Sequence, residues 1–493
     1  MIEEKNEIYK LVYVLMALAI LLIPFNNLPY LNNILKELSF SATSYPMLIL
    51  MTIMAIYILK ESKVVKVKDK SIYILITFVI LCFIFSVLNI SDIMTNSFKG
   101  KTGIRRFVFQ YPMLVFGAIT SYCFYYFLRR TKITLWTIRR WVLFSTIIAS
   151  AYGFIEMLNM LNIIDTSEIL KAVSKVIQLY ARGELYPRGI RTVCGEASYF
   201  GMYAAFVLPW ILSYIYTEKE YWKKGISVVY ALYFIALVLL SKSRMGLLIF
   251  WLEFIIFAIG IIIMRGNWKK KLITVLLFPL VFLTSNIVNK VGFTEEVQYE
   301  NTASNATVGA VVESLNDENN MSNVARFSMM KAAFRIGNQH LLTGVGVGQY
   351  AFYATDNVES DDYRSSEVTR WLDPEQTQYW PTVFALHARI YAENGIICFL
   401  IWVALWAYIG ISLLIRYIKY NDIKTLILMS SVAGVLLACF NIDTYIYYPL
   451  WILIGLYWRF GKENIEENSG ERDEEIFFNY GDLWKRKRGR KLS

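Results

Sequence analysis

Charge and histidine are scarce in this chain. Only 18% of its 493 residues are charged and two are histidine. Soluble domains carry roughly a quarter charged residues, so a water-covered globule is a poor match. His340 and His387 alone cannot build a multi-histidine metal centre. Of five cysteines, Cys82, Cys123, Cys398 and Cys439 fall inside apolar runs and Cys194 stands alone near a predicted outer surface, so no disulfide framework or CxxC pair exists. GxSxG, HExxH and Walker motifs are also missing, which removes hydrolase, metalloprotease and P-loop ATPase readings. The N-terminus MIEEKNEIYKLVYVLMALAILLIPF opens with acids and has no small-residue cleavage motif; it reads as a first membrane span, not a removed signal.

What is present is apolar. Hydrophobic residues make up 56% of the chain, with a mean hydropathy of +0.42. Runs of about 20 apolar residues suit a bilayer, and twelve helices are predicted, near 8–25, 43–59, 71–89, 107–128, 141–159, 197–217, 225–241, 246–264, 272–288, 391–414, 424–440 and 445–460. The expected fold is an all-α polytopic membrane protein. Its divisions are helices 1–9 with short loops over 1–288, a large polar loop over 289–390, helices 10–12 over 391–460, and a polar tail over 461–493.

The net charge of +11 sits in short clusters between spans, such as Lys60 to Lys70, Arg129 to Arg140 and Arg265 to Lys271. Such clusters mark cytoplasmic loops and place both termini inside. A nucleic-acid partner is not expected, because no soluble domain collects the charge. The loops on the other side are external, and two are long. In 160–196, TSEILKAVSKVIQLY reads as an amphipathic helix with Ile169, Val173, Val176 and Ile177 on one face. In 289–390, SNVARFSMMKAAFRIGN reads as a helix capped by Ser322 or Asn323, and TGVGVG as the turn that stops it. The tail ends in KRKRGRK; solvation and contact with anionic headgroups are both open readings.

External loops should hold few cations, so four exceptions are candidates. SFKGKTGIRRF supplies Lys99, Lys101, Arg105 and Arg106, either as a headgroup anchor or as a phosphate-binding cluster. RGIRTVCGEASYFG supplies Arg188, Arg191 and Glu196 at the start of the sixth span. SKSRMG supplies Lys242 and Arg244; the preceding helix, counted from Ile226, spans only about 22 Å of about 30 Å of hydrocarbon, which would recess both cations. A recessed cation costs about 2.5 to 3.5 kcal/mol and should face a partner or a wet cavity. HARIYAENG supplies His387, Arg389 and Glu393, where Arg389 and Glu393 share a helical face and can pair with each other. Asp361, Asp362 and Asp373 lack the spacing of a cation site.

Taken in order, RTVCGEASYFG leading into a helix, SKSRMG between two helices, TGVGVGQY in the large loop and RIYAENGII opening the next helix resemble the Wzy-type O-antigen polymerase and O-antigen ligase superfamily. The likeness spans about residues 185 to 405; the first 180 match in hydropathy alone. Cys398 stands where the family repeats a glycine, and His387 lies closer to Gly395 than a ligase histidine does, which favours the polymerase branch. The resemblance implies a GT-C-like membrane glycosyltransferase, inverting and metal-independent, without a cofactor. Its substrates would be a polyprenyl-pyrophosphate-linked oligosaccharide donor and a glycan acceptor at the outer face of the bacterial cytoplasmic membrane. A flippase and a chain-length regulator are the partners it implies. Carried onto this chain, Arg191 and Arg244 with Glu196 or Glu393 become catalytic candidates and Arg389 a substrate-binding one; the polar loops themselves add His387 to the catalytic set and Arg188, Lys101, Arg105 and Arg326 to the binding set. The rivals are ligation of a finished glycan to a lipid or cell-wall acceptor, and a lipid-linked sugar transporter, which would place polar groups at midplane on broken helices in repeated halves.

Overall fold

The computed structural model describes residues 2–61, 64–180, 182–187, 189–266, 268–290 and 320–461. The polar tail and Arg188 lie outside them. Every predicted span is a helix: α1 Ile2–Leu21, α2 Ser44–Glu61, α3 Ser71–Leu88, α4 Gly103–Arg130, α5 Leu135–Met160, then, after an interposed helix α6 Ser167–Ile177, α7 Ala197–Thr217, α8 Tyr221–Leu240, α9 Arg244–Ile263 and α10 Trp268–Lys290. After α11 Met321–Gln339 in the large loop come α12 Leu386–Tyr420, α13 Ile423–Ala438 and α14 Tyr448–Phe460. Among the described residues eight helices are long and apolar enough to cross a membrane, and Asn32–Phe40 with Ser44–Lys60 makes a ninth, bent by 100°. The protein is an all-α polytopic membrane protein.

Burial follows from the helical period. On α3, Leu75, Phe78, Cys82 and Phe85 face inward, while Ile76, Ile80, Phe83 and Val87 are exposed, as a span between protein and lipid requires. The central helix is α7, buried without a break from Phe200 to Ser213. It meets α9 where Gly201 and Gly246 leave their backbones bare; a Cβ on Gly201 would come within 2.6 Å of the Gly246 Cα. Small residues let membrane helices approach this closely.

Several expectations change. The helix α8 starts at Tyr221, five residues before the sequence-based limit, and its 20 residues reach about 30 Å. A short span is therefore not what recesses Lys242 and Arg244. The cap of α11 is Asn320, whose side chain accepts from Asn323 N–H at 3.3 Å, not Ser322 or Asn323. On α6 the buried positions are Leu170 and Ser174, with Ile169 and Val176 exposed. The Cys194 side chain is fully buried within its loop.

The tenth predicted span begins earlier, at Leu386, and breaks at Gly395, whose φ of 69° and ψ of −178° are not helical. That break frees carbonyls, and the TGVGVG turn takes them: Val345 N–H donates to Ala392 O at 3.1 Å and Gly346 N–H to Glu393 O at 2.7 Å. The glycines at 344, 346 and 348 all have positive φ. A Cβ at Gly344 would collide with the Glu393 backbone, so the turn needs glycine for close approach as well as for its φ. The large loop is thereby fastened into the membrane bundle.

Candidate functional site

The loops predicted to be external gather at one end of the bundle. Lys99, on the turn of a hairpin formed by β1 Ser97–Phe98 and β2 Lys101–Thr102, donates from Nζ to the carbonyls of Arg370 at 3.0 Å, Gln376 at 3.0 Å and Tyr379 at 2.6 Å. It is a staple between the hairpin and the large loop. The chain after residue 186 docks on the end of α8, where Ile190 N–H donates to Leu240 O at 3.3 Å.

Between these loops and the ends of α7, α9 and α13 lies a cavity of about 680 Å³. Glu196, Lys242, Arg244, Arg326 and Glu367 bring charge to its wall, with Ser198, Ser243 and Asn441. Met245, Leu248, Ile249 and Leu252, all on α9, and Phe440 make an apolar flank. The lining thus offers cations for a charged head and, further along α9, an apolar stretch for a hydrocarbon chain.

Local structure explains how each charge gets there. Glu196 is the N-cap of α7, is exposed, and accepts from Ser198 Oγ at 3.3 Å. Arg244 opens α9, with Ser243 as its cap accepting from Gly246 N–H at 3.2 Å. Lys242 holds a left-handed φ of 52° in the turn between α8 and α9, and burial pushes its ammonium down to about 8. Arg326 reaches down from α11, donating from Nη1 to Asn441 Oδ1 at 3.0 Å and standing 5.4 Å from the Phe384 ring.

The remaining candidates are elsewhere. Arg191 is 2% exposed and is not among the cavity-lining residues. It donates to Gly195 O at 3.2 Å and pairs at 4.0 Å with Glu156 of α5. Thr192 N–H also donates to Glu156, at 2.7 Å. Arg191 thus shapes the loop that delivers Glu196, under the Tyr186 ring 4.9 Å away. His387 uses both ring nitrogens: Nδ1 accepts from Trp402 Nε1 at 3.2 Å and Nε2 stands 3.2 Å from Leu436 O. The acceptor role of Nδ1 leaves Nε2 as the proton-bearing atom.

Arg389 and Glu393 form a buried pair at 3.1 Å and do not line the cavity. Arg389 donates further to Asp443 O at 2.7 Å and Gln110 Oε1 at 2.8 Å, while Glu393 accepts from Tyr445 at 2.8 Å. Gln110 in turn donates to Glu37 at 2.9 Å, and Arg106 pairs with Glu37 at 3.0 Å. Lys101 lies 4.4 Å from the Trp380 ring centre and Arg105 is exposed, so these two belong to a patch outside the cavity lining.

Residues 229–403 match the O-antigen ligase family. That segment runs from α8 through α9, α10 and α11 to the broken part of α12, and it contains Lys242, Arg244, Arg326 and Glu367. The O-antigen ligase match supports a membrane enzyme of the ligase or polymerase type. No curated protein matches the chain.

Sequence reasoning missed Glu367, Asn441 and Tyr186 on the cavity wall and Glu37 and Gln110 in the buried network. Glu367 is one of many charged residues in 359–375 with nothing local to single it out, and the other four stand in no recognised motif.

Proposed function

We propose that the protein is a glycosyltransferase that polymerises polyprenyl-pyrophosphate-linked oligosaccharide repeat units into a surface polysaccharide. The reaction takes place at the outer face of the cytoplasmic membrane. The observation that carries this reading is a cavity lined both by the cations Lys242, Arg244 and Arg326 and by the apolar residues that follow Arg244 on α9. An anionic pyrophosphate fits the cations, and a polyprenyl tail fits Leu248, Ile249 and Leu252.

In such a transfer the acceptor hydroxyl attacks the anomeric carbon while the bond to pyrophosphate breaks. Negative charge grows on the leaving group, so fixed cations beside it lower the barrier. Arg244 and Arg326 suit that role because a guanidinium holds two phosphate oxygens at once. Glu196 is the base candidate for the acceptor proton, a task worth about 10²- to 10⁴-fold in rate; Glu367 is a second carboxylate on the same wall. Arg191 acts through the loop that carries Glu196. Polarity supports the orientation: the basic loops lie at the end of the bundle opposite the cavity.

A second reading is ligation, in which the finished glycan goes to a different acceptor; the description of the matching family favours it. Purified protein in liposomes, supplied only with lipid-linked repeat units, separates the two. Polymerisation predicts longer lipid-linked products from that single substrate. Product that forms only after a lipid or cell-wall acceptor is added would replace polymerisation by ligation, and movement of substrate across the bilayer without new glycosidic bonds would remove both.

A further inference from the structure

One carboxyl group lies deep in the bundle and takes no part in the cavity. Glu253 is on α9, nine residues beyond Arg244, hence about 14 Å further along the helix. It is fully buried, and among the described residues no hydrogen-bond donor reaches either oxygen. An isolated carboxylate in hydrocarbon surroundings is very costly, and the usual escape is to take up a proton.

A proton there has somewhere to point. Gly434 of α13 leaves room for the Glu253 carboxyl; a Cβ built on that glycine would run into Glu253 Oε1 and into the carbonyl oxygen of Ala205 on α7. The two oxygens both lie within 2.5 Å of that one point, which brings them to the same gap between the helices. The Ala205 carbonyl is also short of a donor. Its helical partner would be the N–H of residue 209, and residue 209 is proline, which has none. The adjacent carbonyl, Phe206 O, is served by Ser431 Oγ of α13 at 3.1 Å. One turn towards the cavity, Met202 O accepts from Tyr447 at 2.9 Å. At Ala205, the polar group that comes to the same point beside Gly434 is the Glu253 carboxyl.

We propose that Glu253 is an intramembrane proton-binding site. The carboxyl is held neutral and its O–H donates to the Ala205 carbonyl freed by Pro209. The bond ties α9 to α7 in the space left by Gly434 of α13, and each of these three helices supplies a residue to the cavity: Ser198, Arg244 and Leu437. Glu253 is thus a positioning residue that works only while it carries a proton. Tyr447 is a titratable neighbour of Glu253, and its hydroxyl is committed to Met202.

The test is infrared spectroscopy of the full-length protein in lipid at pH 7, which needs no knowledge of the substrate. The difference spectrum between wild type and Glu253→Gln should show the carbonyl stretch of a neutral carboxylic acid, and a carboxylate band in its place would overturn the proposal. Pro209→Ala, which keeps Glu253, restores an N–H to Ala205 O and should shift that stretch to higher frequency; an unmoved band would overturn the bond to Ala205. Thermal unfolding adds a second readout. Glu253→Leu should lose stability that Glu253→Gln, whose amide can donate, largely retains, and equal losses in the two variants would also overturn it. None of these readouts depends on glycosyl transfer, so their failure is distinguishable from failure of the polymerase reading.

Discussion

Arg389 Nε donates to Glu393 Oε1 across 3.1 Å, one turn before α12 breaks at Gly395. The pair is buried within a chain of polar contacts that runs through Gln110 to Glu37. Removing one member of a buried pair leaves the other uncompensated, at about 3 to 5 kcal/mol. Arg389→Ala is therefore expected to lower the unfolding midpoint and the folded yield sharply, measured by thermal unfolding in detergent. Full stability with lost transfer would instead make Arg389 a substrate ligand.

Arg244 is the contrasting case, since it opens α9 at the cavity wall. Arg244→Ala is expected to slow glycosyl transfer by about 10²- to 10³-fold, the loss typical of one charge-stabilising group. Its unfolding midpoint should stay close to wild type. Comparing transfer rates at matched amounts of folded protein checks both halves of this expectation.

The pH dependence follows from Lys242, whose ammonium is lowered from 10.5 to about 8 by burial. Below pH 8 the site carries this charge, and as pH rises through 8 the charge is lost. Donor capture, read as kcat/KM, should then fall by up to about tenfold per pH unit. Lys242→Arg, charged to beyond pH 12, should flatten the fall. The stability contribution has the opposite sign: the burden of the buried ammonium is present below about 8 and is relieved between 8 and 10.5.

Gly395 has a backbone conformation, φ 69° and ψ −178°, that is nearly confined to glycine. A Cβ there would also meet Leu342 O at 2.5 Å and Gly344 N at 2.8 Å. Gly395→Ala is expected to cost at least about 1 to 3 kcal/mol and to loosen the TGVGVG turn. Limited proteolysis should then cut near residues 342–348 faster than in wild type.

The spans were legible because hydrophobic runs and basic loops are local signals that a bilayer imposes on the chain. Arg244 and Glu196 were legible as polar exceptions at helix ends, and the structure brings them to one cavity with Arg326 of α11. Arg191 and His387 carried the same local signal but are held by partners far along the chain, Glu156 and Trp402. The start of α12 was hidden because HARIYAEN is polar, although its burial by Gln110, Asp443 and Tyr445 makes it an inner helix turn. Glu367 and Asn441 reach the cavity only through tertiary packing, to which no pattern in their neighbourhoods points.

The central claim is that the lipid-linked donor sits in the cavity between α9 and α11. A photoreactive polyprenyl-pyrophosphate donor, cross-linked to the protein in lipid and mapped by peptide mass, tests it most directly. Adducts should fall on residues 243–252 and on 320–330 or Phe440, and excess unmodified donor should suppress them. Adducts confined to the patch around Lys101, Arg105 and Trp380, with none on α9, would contradict the claim.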